Sequence, residues 1–147
     1  MLTSNECLKK WGTPEATLQW EGKVLVLWDI PTSINDIIPS LPNRIYCNRL
    51  MVAPLEKAFR NLIERGYADE LKTWDGCYNI RKKRGLNSLS LHAWALAVDL
   101  NAAWNQLGKA PQLSSGFVKC FTDAGFDWGG DWQGNRVDGM HFQLKRI

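Results

Sequence analysis

The sequence predicts an α+β fold in which a small antiparallel sheet is flanked by helices. One long segment has apolar residues at helical spacing, whereas the other apolar segments have the length of strands, about four to eight residues. Glycine, proline and asparagine separate these segments and favour turns. A chain of 147 residues is long enough for one domain with a hydrophobic core and too short for two. We therefore expect residues 1–147 to form a single domain.

The first fifty residues contain short elements only. We predict a short helix at 2–10 and a turn or helix cap at 12–15, because threonine caps helices and proline favours the first helical position. Two apolar segments, 23–30 and 43–48, are predicted strands. Residues 32–38 have no decisive pattern.

The clearest helix spans Met51–Arg65. Pro54 suits its first turn, and Gly66 favours its end. Its apolar residues recur at helical spacing and are predicted to pack in the core: Leu55, Ala58, Phe59, Leu62 and Ile63.

The second half of the chain alternates strands and turns. Residues 71–81 are predicted to form a strand interrupted by a hairpin-type turn at Asp75-Gly76. Short strands are predicted at Ala97–Leu100 and 140–144, and a helix at 115–125 that Ser114 or Ser115 caps.

The two histidines of the chain each occur near aspartates. His92 precedes Asp99 by seven positions, and Asp138 precedes His141 by three. Two imidazoles and one carboxylate form a catalytic zinc ligand set, and the second carboxylate is available as a base. The sequence therefore predicts one metal centre built from two distant segments.

Geometry requires a bend between His92 and Asp99. On one helix they would be about 10 Å apart along the axis, and on one strand about 23 Å apart on opposite faces. We therefore expect His92 in a loop or helical turn, followed by a strand that carries Asp99. A neighbouring strand would present His141 and Gln143 on one face and apolar residues on the other.

Each residue also has a structural explanation when taken alone. A histidine before an alanine-rich segment is usually a packed structural residue. Asp99 is as suitable for a helix cap or turn as for a metal, and Asp138-Gly is a common turn dipeptide. The combination of both histidines with carboxylates favours the metal centre.

The spacing of these residues resembles a known family. Ser90-x-His92, then Asp99, then Asp138-x-x-His141 before a final apolar strand are similar to the motifs of the D-alanyl-D-alanine carboxypeptidase family of zinc peptidases. This family shares the hedgehog/DD-peptidase fold with the L-alanyl-D-glutamate peptidases of phage endolysins. The resemblance extends from about residue 77 to 143 and covers the first fifty residues poorly.

The resemblance implies a role for each motif residue. His92, Asp99 and His141 would bind one Zn²⁺ per chain, and Asp138 would be the general base. Arg81 falls at the position of a substrate-facing arginine, for which Arg84 competes. Ser90 would lie around the first ligand, and Trp94 and Trp132 are candidates for a substrate groove, although core packing explains most of the eight tryptophans.

Two positions depart from the family pattern. Ala95 stands where the family usually has glycine, and Asp138 stands where many members have glutamate. Aspartate at the base position also occurs in phage enzymes, which favours the endolysin branch.

The expected activity is hydrolysis of peptidoglycan stem peptides by an L-alanyl-D-glutamate endopeptidase. The alternatives are a D-alanyl-D-alanine carboxypeptidase or dipeptidase, and a catalytically idle binding or virion module on the same fold. A net charge of +3 suits an anionic cell wall, whereas a nucleic-acid-binding protein would carry a more extended basic surface than 81–84 and 145–146. Calcium control through Asp127, Asp131 and Asp138 is weakly supported, because their spacing does not match an EF-hand.

The remaining expectations concern cellular context. The N-terminus has no apolar segment of signal-peptide length, and no segment has the length of a membrane span. We therefore expect synthesis in the cytoplasm, with access to the wall by a separate release route or on a virion. We expect a monomer, and free, buried thiols at Cys7, Cys47, Cys77 and Cys120.

Overall fold

A computed structural model describes all residues, 1–147, and has the α+β architecture that the sequence predicts. None of its helices combines the length and apolar composition of a membrane span. The helices are α1 Ser4–Trp11, α2 Leu18–Val24, α3 Thr32–Asn35, α4 Val52–Arg65 and α5 Ser115–Thr122. The strands are β1 Leu25–Asp29, β2 Arg44–Asn48, β3 Trp74–Gly76, β4 Ala97–Leu100, β5 Phe126–Trp128 and β6 His141–Leu144.

The strands form two antiparallel sheets, where the sequence predicts one. β1 and β2 form a two-stranded sheet, and the other four strands are ordered β3-β4-β6-β5. β4 and β6 lie at the centre of the larger sheet, with Asp99 opposite His141 and Val98 opposite Phe142. The register therefore places the two predicted ligands on one face, since side chains alternate along a strand.

Helix α4 confirms the predicted helix and its end. Gly66 is left-handed, with φ 81°, and its amide donates to the carbonyls of Leu62 and Ile63. Phe59 of α4 contacts Trp28 of β1, at 6.3 Å between ring centroids, and Phe121 of α5, also at 6.3 Å. These aromatic contacts join both sheets to one core of 33 buried residues.

Helix α5 covers the back of the larger sheet. Ser114 caps it as one of the two predicted serines, since its hydroxyl accepts from the amide of Phe117. Phe121 packs on Phe142 of β6, with ring centroids 4.6 Å apart. The sheet face opposite the predicted ligands is thus buried by aromatic side chains.

Of the two alternatives at 12–15, the helix cap at Thr13 is wrong. Thr17 caps α2 instead, because its hydroxyl accepts from the amide of Trp20 at 3.2 Å. Helix α1 ends at Gly12, whose φ of 74° turns the chain away.

The prediction of a long strand at 71–81 with a hairpin turn at Asp75-Gly76 is also wrong. Asp75 and Gly76 lie within the short strand β3, which pairs with β4. The Asn101 carboxamide accepts from the amides of Lys72 and Thr73 and so holds the chain before β3 against β4. After Gly76 the chain follows the turn that contains His92, as the bond from the Asn79 amide to the His92 carbonyl shows.

The four cysteines are free and buried, as predicted. Burial raises the pKa of the Cys47 thiol to about 12, and the Cys77 pKa is also raised well above its ordinary value by burial. Both thiols therefore remain protonated and act as small apolar side chains.

Ala95 forms the bend that the sequence requires between His92 and Asp99. The 3₁₀ turn Leu91–Trp94 ends at Ala95, which is left-handed with φ 53° and ψ 39°. This conformation costs an L-residue with a β-carbon roughly 1–2 kcal/mol. The glycine expected at this position from the family pattern therefore has a conformational explanation.

We expect both Ala95→Gly and Ala93→Gly to lower the free energy of unfolding. The decrease should be at least about 1 kcal/mol smaller for Ala95→Gly. Both variants lose a fully buried methyl group, but only position 95 also loses the left-handed strain. Ala93 is the matched control because it lies in the same turn and has a negative φ. Urea unfolding measures the difference, and equal losses would contradict the assignment of strain to Ala95.

Candidate metal centre

His92 is fixed by the turn that carries it. Its backbone amide donates to the Ser90 hydroxyl at 3.4 Å, which caps the turn. Its Nδ1 lies 2.7 Å from the carbonyl of Cys77. A carbonyl oxygen only accepts, so Nδ1 carries the proton and Nε2 keeps the lone pair of the neutral ring.

His141 is held through the other ring nitrogen, Nε2. Its Nε2 lies 3.0 Å from Oε1 of Gln143, two residues further along β6. Its Nδ1 faces Asp99, with 3.6 Å between Nδ1 and Oδ1. His92 therefore forms its hydrogen bond through Nδ1 and His141 through Nε2. The other nitrogen of each ring faces the carboxylate of Asp99.

Asp99 lies between the two rings. Its Oδ2 is 3.2 Å from Nε2 of His92, and one donor atom from each of the three side chains lies within 4.8 Å of the others. The His92 and His141 side chains are 4% and 7% exposed, and Asp99 is 17% exposed. The structure thus brings together the three residues for which the sequence predicts a metal-binding role.

The carboxylate of Asp99 is kept ionised. Burial raises its pKa, but the hydrogen bonds and positive charges that His141 and His92 supply when protonated outweigh burial, and the pKa of Asp99 lies well below its usual range. An ionised carboxylate is the form that binds a metal.

The neutral tautomers leave three acceptor groups facing one another. Nε2 of His92 and Oδ1 of Asp99 are buried without a hydrogen-bond partner. Converging lone pairs repel, and unsatisfied buried acceptors are costly, unless a cation or additional protons lie between them. Two imidazole nitrogens and a carboxylate oxygen are a donor set that zinc prefers, so the residues present fit a zinc ion.

Asp138 lies at the edge of this cluster. Its amide donates to the carbonyl of Gly129 at 2.9 Å, and its own carbonyl accepts from the amide of His141 at 3.2 Å. A β-carbon at position 129 would lie 2.5 Å from the Asp138 carbonyl oxygen, so only glycine fits there. Close backbone packing thus sets the position of Asp138 relative to His141.

Asp138 is half-buried, and its Oδ1 atom is buried without a hydrogen-bond partner. Burial is the largest effect and raises the pKa of Asp138; the Asp99 charge adds to this, whereas His141, His92 and Arg84 oppose it. A carboxylate with a raised pKa is a better proton acceptor than an exposed aspartate.

A cleft of about 520 Å³ opens over Asp99, Asp138 and His141. Its walls carry four basic side chains: Arg81, Lys83, Arg84 and Arg136. The guanidinium of Arg136 donates to the carbonyl of Arg84 at 2.7 Å and joins the two loops that border the cleft. Both predicted arginines line the cleft, and Arg84 is the one whose charge acts on Asp138.

The two predicted groove tryptophans have different positions. Trp132 lines the cleft, and its ring lies 5.1 Å from that of His141. Trp94 is fully buried, and its indole N–H donates to the carbonyl of Gly12 at 3.1 Å. The expectation that Trp94 lines the groove is therefore wrong, since its large apolar ring is buried in the core.

Two partners of the histidines have no assigned role in the sequence analysis. The backbone carbonyl of Cys77 leaves no signal in a sequence. Gln143 does leave one, because it shares a strand face with His141, and a metal-ligating histidine usually bonds a second group through its other nitrogen.

A comparison with known protein families gives one match. Residues 83–144 match the sequence model of a family described as D-alanyl-D-alanine carboxypeptidase, a family of zinc peptidases. Residues 83–144 are thus similar to this family, over less than half of the chain. The match confirms the resemblance and indicates that the chain is a zinc-dependent peptidase. No curated protein and no solved structure gives a significant match.

The matched segment of the peptidase covers 62 of its 147 residues. It contains His92, Asp99, Asp138 and His141, but not Arg81. The N-terminal elements, including the β1–β2 sheet, lie outside the match.

Proposed function

We propose that this peptidase hydrolyses peptide bonds in the stem peptides of peptidoglycan, as an L-alanyl-D-glutamate endopeptidase of the phage-endolysin type. The observation that carries the proposal is the convergence of His92, Asp99 and His141, with Asp138 beside them in a basic cleft. The convergence supports a metal-dependent hydrolysis, and the cleft supports an anionic substrate.

One Zn²⁺ per chain would be held by Nε2 of His92, Nδ1 of His141 and the carboxylate of Asp99. When bound, zinc polarises a carbonyl group and lowers the pKa of water to about 7. The hydrogen bonds to Cys77 and Gln143 support these ligand atoms, since they keep both rings neutral and oriented.

Asp138 is the proposed general base. Asp138 lines the cleft beside the three-residue cluster, and its Oδ1 has no hydrogen-bond partner. It accepts a proton from the attacking water and donates it to the leaving amine, so that the amine departs neutral. Its raised pKa supports both transfers.

The arginines are proposed to bind negative charge. Arg81 remains a candidate for the developing oxyanion or for a substrate carboxylate, such as that of D-glutamate, because a guanidinium matches a carboxylate in shape and charge. Arg84 competes for either role, and its charge acts on Asp138. Trp132 is proposed to form part of the groove wall, while Ser90 supports the turn of His92.

The proposed partner is the cell wall, and the protein acts as a monomer. It is proposed to meet the wall after release through a separate route, or as part of a virion. Nucleic acid is not a proposed partner, because the basic residues of the cleft surround a catalytic centre instead of forming an extended surface.

A second candidate function is trimming of the terminal D-alanine, since the matched family is described as D-alanyl-D-alanine carboxypeptidase. Digestion of purified cell walls separates the two candidates. We expect new N-terminal D-glutamate amines, measured by mass spectrometry of the released peptides. Release of free D-alanine without new D-glutamate amines would replace the endopeptidase proposal by the carboxypeptidase.

We expect Asp138→Asn to lower the rate of wall hydrolysis at least about 100-fold, because the amide cannot accept the proton. Zinc binding should be retained, since Asp138 is outside the three-residue cluster. Asp131→Asn is the matched control, as Asp131 also lines the cleft and is outside the cluster. Unchanged hydrolysis by Asp138→Asn would contradict its role as the base, and absence of hydrolysis by the native protein would support the idle module.

A further inference from the structure

Gln143 is buried between His141 and the N-terminal segment. It is 4% exposed, and its two amide atoms have different partners. Nε2 donates to the carbonyl of Leu2 at 3.3 Å, and Oε1 lies 3.0 Å from Nε2 of His141. The side chain thus joins the first residues of the chain to the last strand.

The Leu2 carbonyl determines the orientation of the amide. A carbonyl oxygen only accepts hydrogen bonds, so the NH₂ group of Gln143 must face Leu2 and Oε1 must face His141. The opposite orientation would place two acceptors, Oε1 and the Leu2 carbonyl, against each other.

The orientation of the amide in turn determines the tautomer of His141. Oε1 only accepts, so the proton of the neutral imidazole lies on Nε2. Nδ1 then keeps its lone pair on the side of Asp99. Without this acceptor the proton would be free to occupy either nitrogen, and the Nδ1-protonated form cannot bind a metal through that atom.

The position of Leu2 is itself well determined. Leu2 is 4% exposed, and Thr3 caps helix α1 in a reciprocal capping box with Glu6. Helix α1 contacts the turn Leu91–Trp94, where the Trp94 indole donates to Gly12. The N-terminal segment, which the family match does not cover, is therefore packed against the turn that carries His92.

We propose that Gln143 is a positioning residue that, oriented by the Leu2 carbonyl, fixes the proton of His141 on Nε2 and reserves Nδ1 for the metal. The proposal rests on the proposed function for the identity of the metal ligand. The tautomer itself is a property of the metal-free protein and is tested without activity.

The test is nitrogen-15 NMR of the metal-free protein at a pH where both imidazoles are neutral. The chain has two histidines, so two sets of ring signals are expected. His92 is the internal control, because its tautomer depends on the backbone carbonyl of Cys77 and not on Gln143. The native protein should show the Nε2-protonated form of His141 and the Nδ1-protonated form of His92.

Gln143→Met removes the acceptor at similar side-chain volume. We expect a mixture of His141 tautomers, no change at His92, and a loss of zinc affinity of about 10- to 100-fold. Gln143→Glu keeps an acceptor and should keep the Nε2-protonated form, although it has no donor for Leu2 and should lower the free energy of unfolding. Gln133→Met is the matched control, since Gln133 lines the cleft and contacts neither histidine.

A native His141 protonated on Nδ1 would overturn the proposal, as would a Gln143→Met variant with the native tautomer and native zinc affinity. If the native protein bound no zinc, the proposed function would fail, while the tautomer result would still decide the role of Gln143. Zinc titration of the native protein and both variants therefore separates the two failures.

Discussion

The contact on which the candidate metal centre depends is the pairing of Asp99 with His141 across the central strands of the larger sheet. This register places a carboxylate and an imidazole on the same face, while Val98 and Phe142 are buried on the other. A shift of either strand by one residue would turn its polar side chain into the core. The aromatic packing behind the sheet thus stabilises the register that the site requires.

The energetically unfavourable features of this arrangement lie close together, around His92, Ala95 and Asp99. Three acceptor groups converge in a nearly dry environment, and a left-handed alanine connects His92 to the strand of Asp99. Buried acceptors without partners and strained residues are unfavourable by themselves and often occur at functional sites. Here the N-terminal helix, the carbonyl of Cys77 and the amide of Gln143 hold the rings in place.

Much of the fold is predictable from local sequence. Helix α4 and the strand of Asp99 follow from periodicity, and α5 follows from its serine cap. The failures have tertiary causes. Asp75-Gly76 has the composition of a turn, but the distant Asn101 side chain holds the preceding amides against β4. The role of Gln143 depends on Leu2, 141 positions away, which no local pattern reveals.

The same limit applies to the candidate site. The three cluster residues and Asp138 can be named from sequence because their types and spacing are restrictive, and the structure brings His92, Asp99 and His141 together. The groove is less predictable, because a tryptophan beside a motif residue fits a core and a cleft equally well. Trp94 and Trp132 differ in burial through packing alone.

The most direct test is the metal content of the purified protein, combined with X-ray absorption at the zinc edge. We expect about one zinc per chain with two imidazole nitrogens and carboxylate oxygen around it. Asp99→Ala and His141→Ala should lose the metal, whereas Asp131→Asn should keep it. A native protein that stays metal-free after addition of zinc, or zinc retained by both alanine variants, would contradict a metal centre at this site.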